Sequence, residues 1–346
     1  MNMKEKVLVI FGSMSSEHEI SCISASNVLE NLDTEKYDIS KIGIDKNGIW
    51  YYYTGNVENI KNNSWIKDLM NKEPITNLLK ELRKHDIVFP VLHGKYGEDG
   101  SIQGLLEMAQ VKYVGCNILG SSIAMDKILS KELVEQTGIN VVPYITVSSR
   151  EFDSIKEDTI DLFQKVESKL KYPVIVKPSK EGSSYGVTKV ETSDNLINAI
   201  EFALKYDNEI LIEKYISNRK EIECAVLEDA LENRIYVSTP GEIVSANEFY
   251  DFNAKYENNK SHVKIPAQIS DEQIYKIQEY SKNIFKKLRL KGLSRIDFFV
   301  SNDKIYYNEV NTMPGFTNIS MYPMMLIHDG ISYKNILNIL ISSAKL

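Results

Sequence analysis

Cysteine is scarce in this chain and nowhere clustered. Cys22, Cys116 and Cys224 are odd in number, far apart and form no CxxC pair, which argues against a disulfide framework or a zinc site and leaves buried free thiols. Long apolar runs are missing as well. The opening MNMKEKVLVIFG stops at Gly12 without a signal-cleavage pattern, and no later run approaches the ~20 residues a membrane span needs. A cytoplasmic protein without a membrane partner is expected. Positive charge is not in excess: the net charge is −7, which argues against a general nucleic-acid binder but leaves room for one nucleotide held by a few cations. There is no GxxxxGK[ST] loop, no Ser/His/Asp set at usable spacing, and no cysteine nucleophile with a histidine neighbour.

What is present is ordinary globular material. Apolar residues make up 43% and charged residues 26% of 346, enough for two or three domains at roughly 100–200 residues each. The first third alternates strand and helix: strand 6–12, helix 19–32, strand 86–93, helix 101–109 and a short strand 113–115. That order predicts a parallel α/β sheet whose ligands gather at the carboxyl ends of its strands, near the loops 12–19 and 93–100. Ser16 is placed to cap the first helix. A second stretch predicts a helix over 122–138, strands 143–147, 173–177, 187–190 and 209–216, and helices 153–170 and 193–206. From Glu221 the strands lengthen (221–227, 234–238, 293–300, 304–311), with a helix at 271–288 and a last one after Ser332. The expected units are 1–121, 122–214 and 215–346, the last carrying a polar segment, 247–264, long enough to be a lid.

The chemistry concentrates in Arg295-Ile-Asp297 and Glu309-Val-Asn311. Two strands joined by a turn at 301–303 bring these pairs to one sheet end, and period-two geometry puts each pair on one face. A buried salt-bridge network would account for Arg295 and one carboxylate but gives no reason for the second carboxylate or Asn311. Three oxygen donors at one point suit Mg²⁺. The small-residue loop PSKEGSSYG (178–186) follows a buried strand and can turn backbone N–H groups toward phosphates; a plain polar hairpin is the alternative. Lys177 ends the apolar run PVIV, where a cation is costly without an anion, and Lys127 lies in the helix after Gly120. With the metal cluster, both fit ATP phosphates. Glu213-Lys214-Tyr215-Ile216 and Glu221 could read a nucleotide or merely end a strand. Glu17, His18 and Glu19 could belong to a helix cap, and His93 to the core.

Assembled in order, these segments resemble the D-alanine–D-alanine ligases of the ATP-grasp superfamily. The matching runs are GSMSSEHEIS, FPVLHGKYGEDGSIQG, MDK at 125–127, VKPSKEGSSYGV, LIEKYI, EFYDFNAKY, LSRIDFFV and NEVNTMPGFTNISMYP. The resemblance covers essentially the whole chain and implies a three-domain architecture, α/β and α+β, with a nucleotide cleft between the central and C-terminal domains. It implies ATP-dependent joining of two D-alanines through an acyl-phosphate, for peptidoglycan precursors. It implies two Mg²⁺ or Mn²⁺ ions, possible activation by a monovalent cation such as K⁺, and a homodimer.

Carried over by residue, the resemblance implies that Glu17 holds the first substrate's ammonium, His93 lies near its carboxylate, and Ser183 and Tyr256 complete a triad with Glu17. It implies Lys127 and Lys177 on the α/β phosphates, Lys255 on the γ-phosphate, Glu213, Lys214 and Ile216 around adenine, and Glu221 on ribose. Asp297, Glu309 and Asn311 would hold metal, Arg295 and Gly315 the oxyanion, and Ser320 and Met321 the second substrate. Ligases of the D-serine and D-lactate types often have Ser-Arg before Tyr-Pro; here the residues are Ser320-Met321-Tyr322-Pro323, and Met321 resembles the D-alanine type. Ser13 departs from the family's usual second glycine.

Overall fold

The computed structural model describes residues 4–156, 158–244 and 262–345. Its strands are β1 (Glu5–Gly12), β2 (Tyr37–Ile44), β3 (Trp50–Tyr53), β4 (Lys72–Pro74), β5 (Ile87–Pro90), β6 (Lys112–Tyr113), β7 (Tyr144–Ser148), β8 (Val174–Pro178), β9 (Thr188–Val190), β10 (Glu209–Lys214), β11 (Lys220–Asp229), β12 (Arg234–Val237), β13 (Gly241–Val244), β14 (His262–Lys264), β15 (Leu293–Ser301) and β16 (Lys304–Asn311). The helices are α1 (His18–Asn31), α2 (Val57–Lys61), α3 (Leu78–Leu82), α4 (Ser101–Met108), α5 (Ile118–Met125), α6 (Lys127–Glu135), α7 (Ser149–Ile155), α8 (Ile160–Lys169), α9 (Leu196–Ala203), α10 (Asp271–Lys287), α11 (Met321–His328) and α12 (Tyr333–Ser343).

They build three sheets, each from one continuous stretch of chain. The first has the order β4-β3-β2-β1-β5-β6. Val7 to Phe11 of β1 are wholly buried, as a strand covered on both faces of a parallel sheet must be. The neighbours of β1 and the β5–β6 pair are parallel, as the strand–helix order predicts. β3 and β4 extend the sheet antiparallel. The second sheet runs β7-β10-β8-β9, and the third β14-β13-β11-β15-β16 with β12 on β11. One face of the first sheet shares its core with the far end of the chain: Phe11, Val28 and Phe89 pack in the cluster that holds Phe316, Tyr322, Leu337 and Ile341. Among the described residues no helix is long and apolar enough to cross a membrane, and all three cysteines are buried and free.

Three local differences from the sequence reading position the site. The expected helix 122–138 breaks at Asp126, whose extended backbone and side chain cap Ile128 and Leu129 and start α6 at Lys127. Ser16 does not cap α1. Glu17 occupies the N-cap and makes no capping bond, because its carboxylate is engaged elsewhere. Finally, the segment expected as a lid over 247–264 ends in β14 on β13, while Lys255 and Tyr256 lie outside the described residues.

Ser13 adopts a backbone conformation that favours glycine. Its φ is 122°, and the turn is pinned by Ser13 N–H donating to Ile44 O at 3.0 Å and by His18 Nδ1 on Ser13 O at 2.7 Å. A serine there is strained, so Ser13→Gly is expected to stabilise the fold by about 1 kcal/mol. Urea denaturation checks this; a lower midpoint in the glycine variant would contradict it.

Candidate active site

The β15–β16 ladder supplies the centre. Arg295 pairs with Asn311 and Asp297 with Glu309, and the register shifts directly afterwards, so that Phe298 pairs with Tyr307. Asn308 is the extra residue of this bulge. A bulge re-aims side chains; here Asn308 and Glu309 both line the cleft. Arg295 grips Asp297 with both ends of its fork, Nε to Oδ1 at 2.8 Å and Nη2 to Oδ2 at 2.7 Å. Asn311 Nδ2 donates to the same Oδ2 at 3.0 Å. Behind them, Glu223 on β11 lies 3.1 Å from Arg295 Nε. Burial works against the guanidinium's charge, but Asp297 and then Glu223 outweigh it and hold Arg295 firmly protonated.

The donor set at this point is two carboxylates and one amide oxygen, hard ligands of the kind that magnesium and manganese take. Both Asp297 oxygens are engaged by protein groups, so an ion placed there would compete with Arg295.

Across the cleft stand the lysines. Lys177, at the end of β8, places Nζ 2.8 Å from Glu213 Oε2 and 3.5 Å from Asn308 Oδ1. Lys127 donates to Glu181 O at 2.7 Å and lies 3.6 Å from Glu309 Oε2. The loop 178–186 is tied to the start of α6 by Ser179 Oγ donating to Asp126 Oδ1 at 2.8 Å. Further along, the Lys214 N–H donates to Pro143 O at 2.9 Å, so it is not a free donor for a base. Arg219 rests over Tyr215 and Phe299, donates to Ile216 O at 3.3 Å and to Glu221 Oε1 at 3.1 Å.

The third wall comes from the first sheet. Ser183, at φ 48°, donates its hydroxyl to Glu17 Oε1. Gly94, at φ +66°, passes so close to Glu17 that any Cβ would press into its Oε2, so this position needs glycine. His93 is buried and fully bonded: Nδ1 donates to Met313 O at 2.8 Å and Nε2 accepts from Ser24 Oγ at 2.8 Å, while Ser24 accepts from the Phe316 N–H at 3.2 Å. Burial pushes its pKa down, which matches this neutral tautomer. Glu98 braces the same loop, accepting from the N–H groups of Thr312 and Met313 at 2.9 Å each and of Gly94 at 3.0 Å. Burial and the nearby Glu17 push its pKa up to about 7, against the pull of those N–H groups. Gly315 packs on Ser320, where an added Cβ would lie 2.7 Å from Oγ. Met321 is buried against Gly241 and Met325 at the start of α11.

The described residues to which the resemblance gives a role therefore line one cleft: Glu17, His93, Lys127, Lys177, Ser183, Glu213, Lys214, Ile216, Glu221, Arg295, Asp297, Glu309, Asn311, Gly315, Ser320 and Met321. Sequence reading missed Glu98, Arg219 and Glu223. Glu223 carried a signal, since it stands two residues after Glu221 on the same strand. Glu98 sat unremarked in the segment HGKYGEDG.

The three sheets, with lysines and paired acids facing one another across a cleft, define an ATP-grasp enzyme. Two family models match, "D-ala D-ala ligase N-terminus" over residues 6–116 and "D-ala D-ala ligase C-terminus" over residues 133–342. The chain belongs to the D-alanine–D-alanine ligase family. It is 44% identical to the D-alanine–D-alanine ligase of Acetivibrio thermocellus, over 99% of this chain and 96% of that protein, and 44% identical to that of Clostridium acetobutylicum, over 99% and 98%. Among solved structures, the VanG D-Ala:D-Ser ligase of Enterococcus faecalis superposes with a TM-score of 0.88 at 39% identity, covering 99% of this chain and all of that one. The D-alanine–D-alanine ligase of Coxiella burnetii superposes with 0.85 at 34%, covering 99% and 94%.

Proposed function

We propose that this ligase joins two D-alanines, converting ATP to ADP and phosphate, and that the cleft residues divide the work as follows. The carboxylate of the first D-alanine attacks the γ-phosphorus and ADP leaves. The amine of the second attacks the acyl-phosphate carbon, loses a proton, and phosphate departs with one of the original carboxyl oxygens. The observation that carries this reading is the facing of Lys127 and Lys177 against Asp297, Glu309 and Asn311, in one cleft with the Glu17–Ser183 pair. Phosphoryl transfer asks chiefly for positioning and charge neutralisation.

Glu17 holds the first ammonium, and His93 shapes the pocket beside it through the Met313 carbonyl. Lys127 and Lys177 bind phosphates, and Glu221 and the 213–216 backbone hold the nucleoside once Arg219 yields its contacts. Arg295 and the Gly315 N–H stabilise the tetrahedral oxyanion. Asp297, Glu309 and Asn311 would hold divalent ions, magnesium or manganese, which neutralise phosphate charge when bound. Lys255 and Tyr256 belong to the same proposal, as do activation by a monovalent cation such as K⁺, a cytoplasmic location, a homodimer, and a division into domains at 121 and 214. Three sheets built from separate stretches of chain support that division.

Purified protein with Mg-ATP is expected to release phosphate in proportion to D-alanine added and to stop when EDTA is present. Phosphate release that ignores D-alanine would overturn the reading. The VanG neighbour raises a D-serine preference at the second site. Met321 argues for D-alanine: its side chain is apolar and buried where an arginine would bring charge. Offered both amino acids equally, the enzyme should yield the D-alanine dipeptide in excess.

A further inference from the structure

Behind the cleft lies a buried lysine to which the proposed mechanism gives no role. Lys131 is four residues after Lys127 on α6, on the same face of the helix. It is wholly buried and does not line the cleft. Its Nζ lies 3.0 Å from Glu213 Oε1 and faces the Tyr307 ring at 5.7 Å. Among the described residues its Nζ finds no hydrogen bond of good geometry. Glu213 is itself 3% exposed, and its other oxygen takes Lys177 at 2.8 Å. One carboxylate is thus shared by two lysines, one buried and one facing the cleft. Burial drags the Lys131 pKa down to about 8 even with Glu213 beside it. Burial opposes the Glu213 charge too, but Lys131 and Lys177 outweigh it and hold the carboxylate ionised.

A buried ammonium with one partner is an expensive way to fill space. A methionine would occupy the same volume without the charge. What the lysine adds is balance. Two lysines and one glutamate sum to one positive charge; Lys177 and Glu213 alone would sum to zero.

We propose that Lys131 is a positioning residue for nucleotide binding, neutralising Glu213 from behind so that the charge of Lys177 remains available to phosphate. Lys177 is then aimed by Glu213 and Asn308 without being cancelled by either. The inference rests on the reading of the cleft as an ATP site.

Binding of ATP measured by calorimetry, with KM for ATP and for D-alanine measured separately, tests it on the full-length enzyme. Lys131→Met should weaken ATP binding and raise its KM by about tenfold, the order expected for losing one charge a few ångströms behind the phosphate site. KM for D-alanine should stay within twofold, and Lys131→Arg should recover most of the loss. Lys131→Gln, neutral but polar, should weaken ATP binding to a similar extent, which keeps the proposal testable if Lys131→Met does not fold. Unchanged ATP affinity in Lys131→Met, whatever its melting temperature, overturns the proposal by making the lysine structural. Equal rises in both KM values overturn it too, as does a folded Lys131→Gln enzyme with unchanged ATP affinity. If the wild-type enzyme bound no ATP, the reading of the cleft would fail instead.

Discussion

Arg295→Gln should lower kcat/KM about 10²–10³-fold, while manganese binding to the nucleotide-free protein tightens. The first half follows from the oxyanion: removing one well-placed donor from such a site costs about 3–4 kcal/mol of transition-state stabilisation. The second half follows from the geometry of the ligand-free cleft. Arg295 occupies both oxygens of Asp297, at 2.8 and 2.7 Å, so an ion must displace a charge-assisted, two-pronged contact of the strongest kind before it can bind. With glutamine in place that cation is gone, and of the described contacts the Asn311 amide on Oδ2 remains. The variant should also be less stable without metal, because Asp297 and Glu223, each less than one-sixth exposed, lose their shared cation. Added manganese should return part of that stability, since a ligand that binds the native state stabilises it by mass action. Titration calorimetry and melting curves with and without manganese read all of this. Weaker manganese binding in Arg295→Gln would show that the arginine supports the metal site instead of competing for it.

Glu17→Gln should raise KM for D-alanine at the first site by roughly 30- to 150-fold, equivalent to about 2–3 kcal/mol for losing a charged partner, with little change in ATP affinity. Among the described residues Glu17 forms no salt bridge, and its one side-chain partner is the Ser183 hydroxyl. A carboxylate with no cation partner among the described residues, walled in by Gly94 and Gly182, is matched to an ammonium brought by substrate. Glutamine keeps the shape and removes the charge, so geometry is not the variable. Product inhibition by ADP serves as the control, because its proposed site lies along Lys127 and Lys177. A Glu17→Gln enzyme with an unchanged KM for D-alanine would remove Glu17 from the ammonium site.

Long, strongly patterned elements were legible in the sequence. β1 reads as an apolar run, and α10 announces both ends: Ser270 and Gln273 form a capping box, acids occupy its first turn and lysines its last. The β15–β16 pair was legible too, because alternation places Arg295, Asp297, Glu309 and Asn311 on one side, and the bulge at Asn308 falls before Glu309 and leaves that placement intact. Most of the misses are short or locally ambiguous; the exception is the eight-residue β2, which the sequence reading passed over. β3, β4, β13 and β14 have three or four residues each, too few for a period to declare itself. α11 holds Pro323 at its third position, which reads as a breaker although a proline is tolerated in a first turn. In the site, residues proposed to touch ligand sit in recognisable runs, but residues that act on those residues do not. Glu98, Glu223 and Lys131 make contacts across sequence separations that no local pattern encodes, as when Glu98 reaches Thr312 and Met313, whereas Arg219 contacts mostly near neighbours, Tyr215, Ile216 and Glu221.

The central claim is that the cleft transfers the γ-phosphoryl group of ATP to a D-alanine carboxylate. D-alanine labelled with ¹⁸O in both carboxyl oxygens tests this directly, with the released phosphate examined by mass spectrometry. One labelled oxygen per phosphate formed is the predicted result, because the oxygen that attacks phosphorus leaves with it when the amide forms. Unlabelled phosphate, or label in AMP, would contradict the account.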